Sequence, residues 1–492
     1  MSLLSFDFFV LVGAVLIAYY LLPLRHRWIA LLAASALFYL CGGVKETALV
    51  ILIAVFSFCM AHVIQKAEKG RKKRLALALA VVVLLSVLAF IKICGHYNTF
   101  GDRLIVPIGL SYFSLSIIGY LLDVYWRKEE AERNFGSFLT FVLYFPKIVQ
   151  GPISRHKFLH RQLTEGNHFN YEQFCFGLQL AIWGAFKKIV LADRMNIFVS
   201  RVYSQLDVYA PHGLILLIAM LLSALQLYCD FSGYTDMARG ISQMFGVELE
   251  QNFNRPFFAQ TASEFWQRWH MSLSSWFKDY LFLPVSRSHF VKELSKKMGT
   301  RCGAAARKKT MMICSTAVVW VATGLWHGTG LNYMVWGFYW GGLIIFAEVF
   351  SDAFGRMNAA LHINTAAPTW RVFRMLRTGG IFVVGKMISA QSSLHDVKTI
   401  LHGVISNIHF ADLELALQLG LNKTDCIILL LGLLTLFAVS LLQENGIRLR
   451  RSIAGWNAVP RWFFYSFSLT VVLFIGLYGV GYDTSTFAYQ FF

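Results

Sequence analysis

The sequence predicts an all-α, polytopic membrane protein, and three observations predict it. Of 492 residues, 57% are hydrophobic and only 15% are charged, whereas a soluble domain carries about a quarter charged residues. Apolar windows recur from one end of the chain to the other. Basic residues collect in short clusters between those windows rather than on one continuous stripe.

In chain order the clear windows are 8–24, 47–64, 75–90, 105–124, 174–192, 213–227, 426–442 and 462–480. Shorter or less clean ones are 29–41, 138–149, 312–325, 331–350 and 379–390. A helix rises 1.5 Å per residue, so about 20 apolar residues cross the hydrocarbon core of a bilayer. The count is roughly 10 to 13 membrane-embedded helices, some of them partial or re-entrant. The polar connections are too short for a separate soluble domain and no repeat of fixed period is visible. Residues 1–492 therefore read as one integral membrane domain.

The net charge of +18 could suggest nucleic acid, but its distribution points to membrane anchoring. Lys66, Lys69 and Arg71 to Arg74 form one cluster. Arg287, Lys292, Lys296, Lys297, Arg301, Arg307, Lys308 and Lys309 form another, opposed only by Glu293, and Arg448, Arg450, Arg451 and Arg461 form a third. Short basic loops beside membrane helices mark the cytoplasmic face. The amino terminus, with no Lys or Arg before Arg25, is expected outside; 66–74, 127–133, 287–309, 351–377 and 444–461 are expected inside. Residues 481–492 then lie outside. The first apolar stretch lacks a basic leader and a small-residue cleavage site, so it reads as a retained helix. The expected location is the cell (plasma or inner) membrane.

The eight cysteines include no Cys-x-x-Cys pair, and most fall in apolar windows, where a thiol acts as a small hydrophobe. No metal site is expected. A Walker A loop, Gly-x-Gly-x-x-Gly, His-Glu-x-x-His and Gly-x-Ser-x-Gly are also missing, so NTPase, zincin and serine-hydrolase mechanisms lack their residues.

The most informative residue is His327, within Trp326-His327-Gly328 at the turn between two apolar segments. An ionisable group at membrane depth is a functional candidate by default. Imidazole can accept and return a proton near neutral pH. The alternative is a histidine satisfied by a neighbouring carbonyl. Counting 1.5 Å per residue from Met312 puts His327 some 20–25 Å up, towards the outer half of the bilayer.

A second constellation spans 263–284. Read as one helix, Trp266, Trp269, Leu273, Trp276, Phe277 and Tyr280 form an apolar stripe, while Arg268, Ser272, Ser275 and Asp279 line another face. So polar a segment cannot cross lipid alone; it lies in the interface or re-enters from the cytoplasm. The tryptophans also fit interface anchoring. His270 borders the stripe beside hydroxyl groups. With His327 it gives one histidine from each side, the arrangement a cytoplasmic donor and an external acceptor require at a dry centre.

Asp230, Ser232, Tyr234 and Asp236 follow the apolar window at 213–227, as donor-binding groups or as a hydrogen-bonded helix-end network. Lys187 and Lys188 sit inside an apolar window, either snorkelling or meeting an anionic donor. Gly337-x3-Gly341 predicts close helix packing.

These residues carry a resemblance. Leu325-Trp326-His327-Gly328 with Asn332 and Trp336-Gly337, and Phe265-Trp266 with Arg268-Trp269-His270, Ser272-Leu273-Ser274, Trp276 and Asp279-Tyr280, form two of its motifs. Tyr144-Phe145-Pro146-Lys147 with Gly151-Pro152-Ile153, and Asp230-Phe231-Ser232-Gly233-Tyr234 with Asp236, form the other two. In order and spacing over about 100–345 they resemble the membrane-bound O-acyltransferase (MBOAT) family. The branch is that of alginate O-acetyltransferases and the teichoic-acid D-alanyl transfer protein. The ending Phe487-Ala488-Tyr489-Gln490-Phe491-Phe492 resembles alginate-type members.

The resemblance implies an MBOAT-like core with a central tunnel, His327 as the catalytic histidine and His270 at the reaction centre. Substrate contacts are expected from Trp269, Trp266, Asn332, Trp326, Asp236 and Ser232. Asn332 also fits packing between helices. The donor is an acyl thioester, acetyl-CoA or an acyl carrier protein, with no bound cofactor. Moving its acyl group to a hydroxyl needs a base for the hydroxyl proton. Two departures concern the acceptor. Many alginate-type relatives have a further histidine where this chain has Trp340, and a Trp- and Arg-bearing segment where it reads 381–387.

The expected function is therefore transfer of an acyl group, acetyl foremost, to an exported polysaccharide or cell-wall glycan, directly or through a partner acyltransferase outside the membrane. D-alanyl transfer from a carrier protein docked on the basic 286–309 loop is the alternative. Proton-coupled transport is an alternative of another class, although no inverted repeat is visible. Lipid- or protein-directed acylation is a further one.

Overall fold

The computed structural model describes residues 5–68, 70–101 and 104–477. Among them the chain is all-α, and its strand-like pairing is one isolated bridge, Phe253 to Trp269. Seven helices are long and apolar enough to cross a membrane: Val44–Lys66, Arg71–His96, Tyr171–Ser204, Gly213–Met244, Ala304–His327, Lys423–Glu444 and Ala458–Ile475. An eighth crossing is available if Leu331–Val349 and Ser351–Ala360, bent by 60°, act together, and Phe6–Leu21 and Leu110–Tyr125 are shorter apolar helices. The aromatic ending at 487–492 lies outside the described residues.

The chain divides into two compact units, 1–190 with 229–251 and 448–492, and 191–228 with 252–447. In the first, the Leu110–Tyr125 helix is buried along almost its whole length, because it is apolar all round rather than on one stripe. The same unit holds an aromatic cluster in which Phe8 packs edge-on against Phe38 and Phe145. Arg27 is buried, not a free surface anchor. Its guanidinium donates to the Leu22 and Asn167 carbonyls and lies 5.3 and 5.2 Å from the Tyr19 and Tyr20 ring centres.

Two glycine pairs set the main crossing of this unit. A Cβ at Gly184 would stand 2.5 Å from the Gly233 carbonyl oxygen, and one at Gly177 would stand 2.6 Å from that of Gly240. The pairs are seven residues apart on both helices, so they bring Tyr171–Ala185 and the second half of Gly213–Met244 into backbone contact over two turns. The register carries Lys187 and Lys188, on the π-helical stretch Phe186–Ala192, to the acidic face of the partner helix.

In the second unit the Ala304–His327 and Leu331–Val349 helices form a tight hairpin. A Cβ at Gly337 would lie 2.7 Å from the Trp320 carbonyl oxygen, and one at Gly341 would lie 2.9 Å from Trp320 Cβ. The Gly337-x3-Gly341 pair therefore packs helix on helix as its spacing predicts. The basic 286–309 stretch, expected as a loop, is largely the His289–Cys302 helix, with the Ser288 hydroxyl accepting from the Val291 N–H. Seven of its eight basic residues are exposed, while Lys309 pairs with Asp352 at 2.8 Å.

Candidate active site

His327 is the last residue of its helix, at 6% exposure. Its ring lies edge-on to Trp326 and Trp336, at 4.9 and 4.8 Å between centres. The turn that follows has a steric cause: a Cβ on Gly328 would stand 2.3 Å from the Tyr333 ring. Only glycine lets that ring close over the helix end, which leaves the imidazole in an aromatic enclosure at the C-terminal end of the helix dipole.

His270 arrives by a different route from the one its sequence predicts. Residues 263–284 are not one helix. Ala262–Arg268 stops at Trp269, which is extended, and His270 takes φ 45° and ψ 54° before Met271–Phe277 begins. A left-handed histidine costs energy unless its surroundings hold it. Here Asn252 holds it. The Asn252 carbonyl accepts from the Met271 N–H at 3.0 Å, its Oδ1 accepts from the Ser272 N–H at 3.1 Å, and the same Oδ1 lies 3.4 Å from His270 Nδ1. The Asn254 N–H donates to the Arg268 carbonyl at 2.9 Å. This short pairing outweighs the helical periodicity, and nothing in the spacing of the tryptophans could have announced it. His270 is 3% exposed, outside the candidate spans, and burial pushes its imidazole down to about 3, so it is neutral at working pH.

The two histidines meet at one indole: Trp326 is adjacent to His327 and lies 6.3 Å from the His270 ring centre. The other tryptophans face inward. Trp269 is 2% exposed, against Phe253 at 4.9 Å and Phe382 at 4.8 Å, and Trp266 packs edge-on against Trp320, Trp336 and Trp340. They wall an aromatic interior, which sequence reasoning weighed against lipid anchoring. Asn332 is buried and donates to the Gln391 carbonyl at 2.8 Å, tying two helices behind the site.

The acidic motif sits within the Gly213–Met244 helix rather than beyond its end. Lys188 and Asp230 pair at 2.6 Å with 1% and 0% of their side chains exposed. Lys187 donates to Ser232 at 2.9 Å and to Asp236 at 2.7 Å. Both lysines are therefore ion-paired inside the unit rather than extended to its surface. Sequence reasoning named both partners of each pair without joining them; the seven-residue spacing of the glycines was the available signal. Arg255 and Arg268, by contrast, were not foreseen as a clamp on Glu444, at 2.7 and 3.1 Å.

The fold is that of an integral membrane protein with two buried histidines close to one indole. The sequence profile of the membrane-bound O-acyltransferase family matches residues 31–378, and the chain belongs to that family. The match begins well before the first of the four motifs. A probable alginate O-acetylase of Pseudomonas syringae pv. tomato is 30% identical over 396 residues, 77% of this chain and 70% of that one. A peptidoglycan O-acetyltransferase of Helicobacter pylori is 30% identical over 367 residues, 66% of this chain and 65% of that one. A teichoic acid D-alanyltransferase of Bacillus subtilis is 29% identical over 244 residues, 48% of this chain and 58% of that one. The chain is thus a multi-pass O-acyltransferase of the cell membrane, and acyl transfer supersedes the transporter alternative.

Proposed function

We propose that the chain moves an acetyl group from a cytoplasmic thioester to a hydroxyl of an exported polysaccharide or cell-wall glycan, with His327 as general base. The observation that carries this reading is the approach of His327 and His270 to Trp326, two buried imidazoles beside one indole. His327 takes the acceptor proton as the oxygen attacks the thioester carbonyl. The C–O bond forms, the C–S bond breaks, and the proton passes on to the departing thiolate. Neutral His270, its Nδ1–H held by Asn252 Oδ1, presents an unprotonated Nε2 that is suited to orient the acceptor by accepting from its hydroxyl. Trp266, Trp269 and Trp326 shape the substrate passage, Asn332 positions the helix behind it, and Ser232 and Asp236 act by holding Lys187.

The relatives favour acetyl transfer to a glycan, since the alginate and peptidoglycan enzymes match over more of the chain than the D-alanyl one. D-alanyl transfer is a second reading, favoured by the exposed basic helix His289–Cys302, which would suit an acidic acyl carrier protein. A second enzyme outside the membrane would fit either reading.

The test is the mass-resolved acyl-ester content of cell-surface glycans in cells with the native chain, without it, and with His327→Ala. Loss of one ester in both altered strains identifies acyl group and acceptor together. Esters unchanged in both would overturn surface acylation.

A further inference from the structure

Four titratable side chains gather in the first unit on the stretch between the Leu110–Tyr125 and Phe135–Leu143 helices and on the His156–Thr164 helix. His156 and His160 are one turn apart on one face of that helix. Their rings stack at 4.5 Å with 24° between planes. His156 is 4% exposed and boxed by Tyr120 at 4.5 Å and Phe141 at 4.8 Å. Its Nδ1 is hydrogen-bonded to the Glu129 carboxylate, and its buried Nε2 has no hydrogen-bond partner. His160 Nε2 lies 3.0 Å from Glu132 Oε2 and 2.9 Å from Ser137 Oγ. The cations nearby are engaged elsewhere: Lys128 with Asp123, Arg133 with Glu130 and Arg161 with Glu165.

We propose that Glu132, His156 and His160 bind a divalent transition cation of the zinc class, with Glu129 as the outer carboxylate that orients His156. One ligand atom from each of the three residues lies within 4.8 Å of the others. Tetrahedral ligands about 2.0–2.1 Å from a common zinc stand about 3.4 Å apart, so modest side-chain rotation closes the set. Two histidines one helical turn apart are a spacing that presents both imidazoles to one ion. A carboxylate on the second nitrogen of a ligating histidine fixes its tautomer and raises its basicity. Two neutral imidazoles, two carboxylates and a divalent cation also sum to zero charge, which suits a site this buried. Three protein ligands leave one position for water. The ion would tie the 126–134 connection to the helix that follows the Lys147-to-Ile153 turn. The inference rests on no part of the acyl-transfer reading.

The experiment uses the full chain, purified in detergent with a tag that binds no metal, stripped with a chelator and titrated with Zn²⁺ alone. Metal is counted by mass spectrometry, and Co²⁺ substitution reports geometry. Expected are about one zinc per chain, a melting temperature that rises with zinc, and intense tetrahedral cobalt bands. His160→Gln, partly exposed and so readily accommodated, loses at least tenfold in zinc affinity, and Glu129→Gln loses about 10–100-fold. Both variants are compared with the native chain in melting temperature without zinc, which separates lost binding from lost folding. Zinc well below one per chain, zinc unchanged in His160→Gln, or weak octahedral cobalt bands would each overturn the site.

Discussion

The indole of Trp340 lies on the backbone of Gly385: a Cβ built there would stand 2.9 Å from Trp340 Nε1. Trp340 is fully buried, stacked on Phe265 at 5.9 Å and edge-on to Trp266 at 5.0 Å. The absence of a side chain at 385 makes room for the indole at 340.

Gly385→Val should therefore overpack this contact, at a cost of about 1–3 kcal/mol. A lower melting temperature in detergent is expected, together with a change in acceptor turnover. An unchanged melting temperature would show that the contact is loose.

His327→Ala should reduce acyl transfer at least 10²-fold, the lower end of what a positioned base contributes. The buried imidazole is replaced by a smaller apolar group, so the variant should still elute as a folded particle. Turnover within tenfold of native would remove His327 from the base role.

Asn252→Ala withdraws the oxygen that accepts from the Ser272 N–H and lies beside His270 Nδ1. Its main expected effect is on kcat rather than on KM, because a bound acceptor whose hydroxyl is no longer oriented by His270 attacks less often. A loss confined to KM would instead make the Asn252–His270 pair a substrate-docking element.

Lys188→Met should cost about 3–5 kcal/mol, since it strands the fully buried Asp230 carboxylate. The double variant Lys188→Met/Asp230→Asn should recover most of that loss, because neither partner is then left as an uncompensated buried charge. Melting temperatures of the native chain, Lys188→Met, Asp230→Asn and the double variant give the coupling.

Lys147, outside the candidate spans, provides a pH dependence. It is 4% exposed, with its ammonium 4.1 Å from the Phe141 ring centre, and burial pushes it down to about 7. Between about pH 7 and the ordinary lysine range near 10.4 the unfolded chain binds one more proton than the folded one, so stability rises with pH across that window. Below pH 7 both forms are protonated and the gain is absent. The melting temperature should climb from pH 7 to pH 9, and Lys147→Met should flatten the climb. Equal slopes for the two proteins would contradict the assignment.

How much was legible can be read from single residues. The place of His327 was legible, since it falls between two apolar runs and the structure buries it at the end of its helix, and Gly337-x3-Gly341 was legible because small residues one turn apart mark close packing. His270 was legible as a residue but not as a conformation. The tryptophan periodicity predicts one helix through it, while the chain breaks there to pair with 252–254, a non-local contact that carries no periodic signal. Lys187 and Lys188 were read apart from Asp230, Ser232 and Asp236, which lie more than forty residues away. The zinc-class cluster was missed for the same reason. Glu132 falls in one polar connection and the two histidines fall beyond the next helix, so no ligand spacing appears in the string.

The sequence by itself determined the membrane class, the helical content and the acyl-transfer family. Hydrophobic length, charge placement and local motifs are properties of contiguous residues, and lipid leaves a backbone few alternatives. Only the tertiary structure decided the break at Trp269 and His270, the lysine–aspartate pairs, the fit of Trp340 to Gly385 and the gathering of Glu129, Glu132, His156 and His160. Each depends on the register of elements distant in sequence, set by where glycines let helices touch and where buried polar groups find partners.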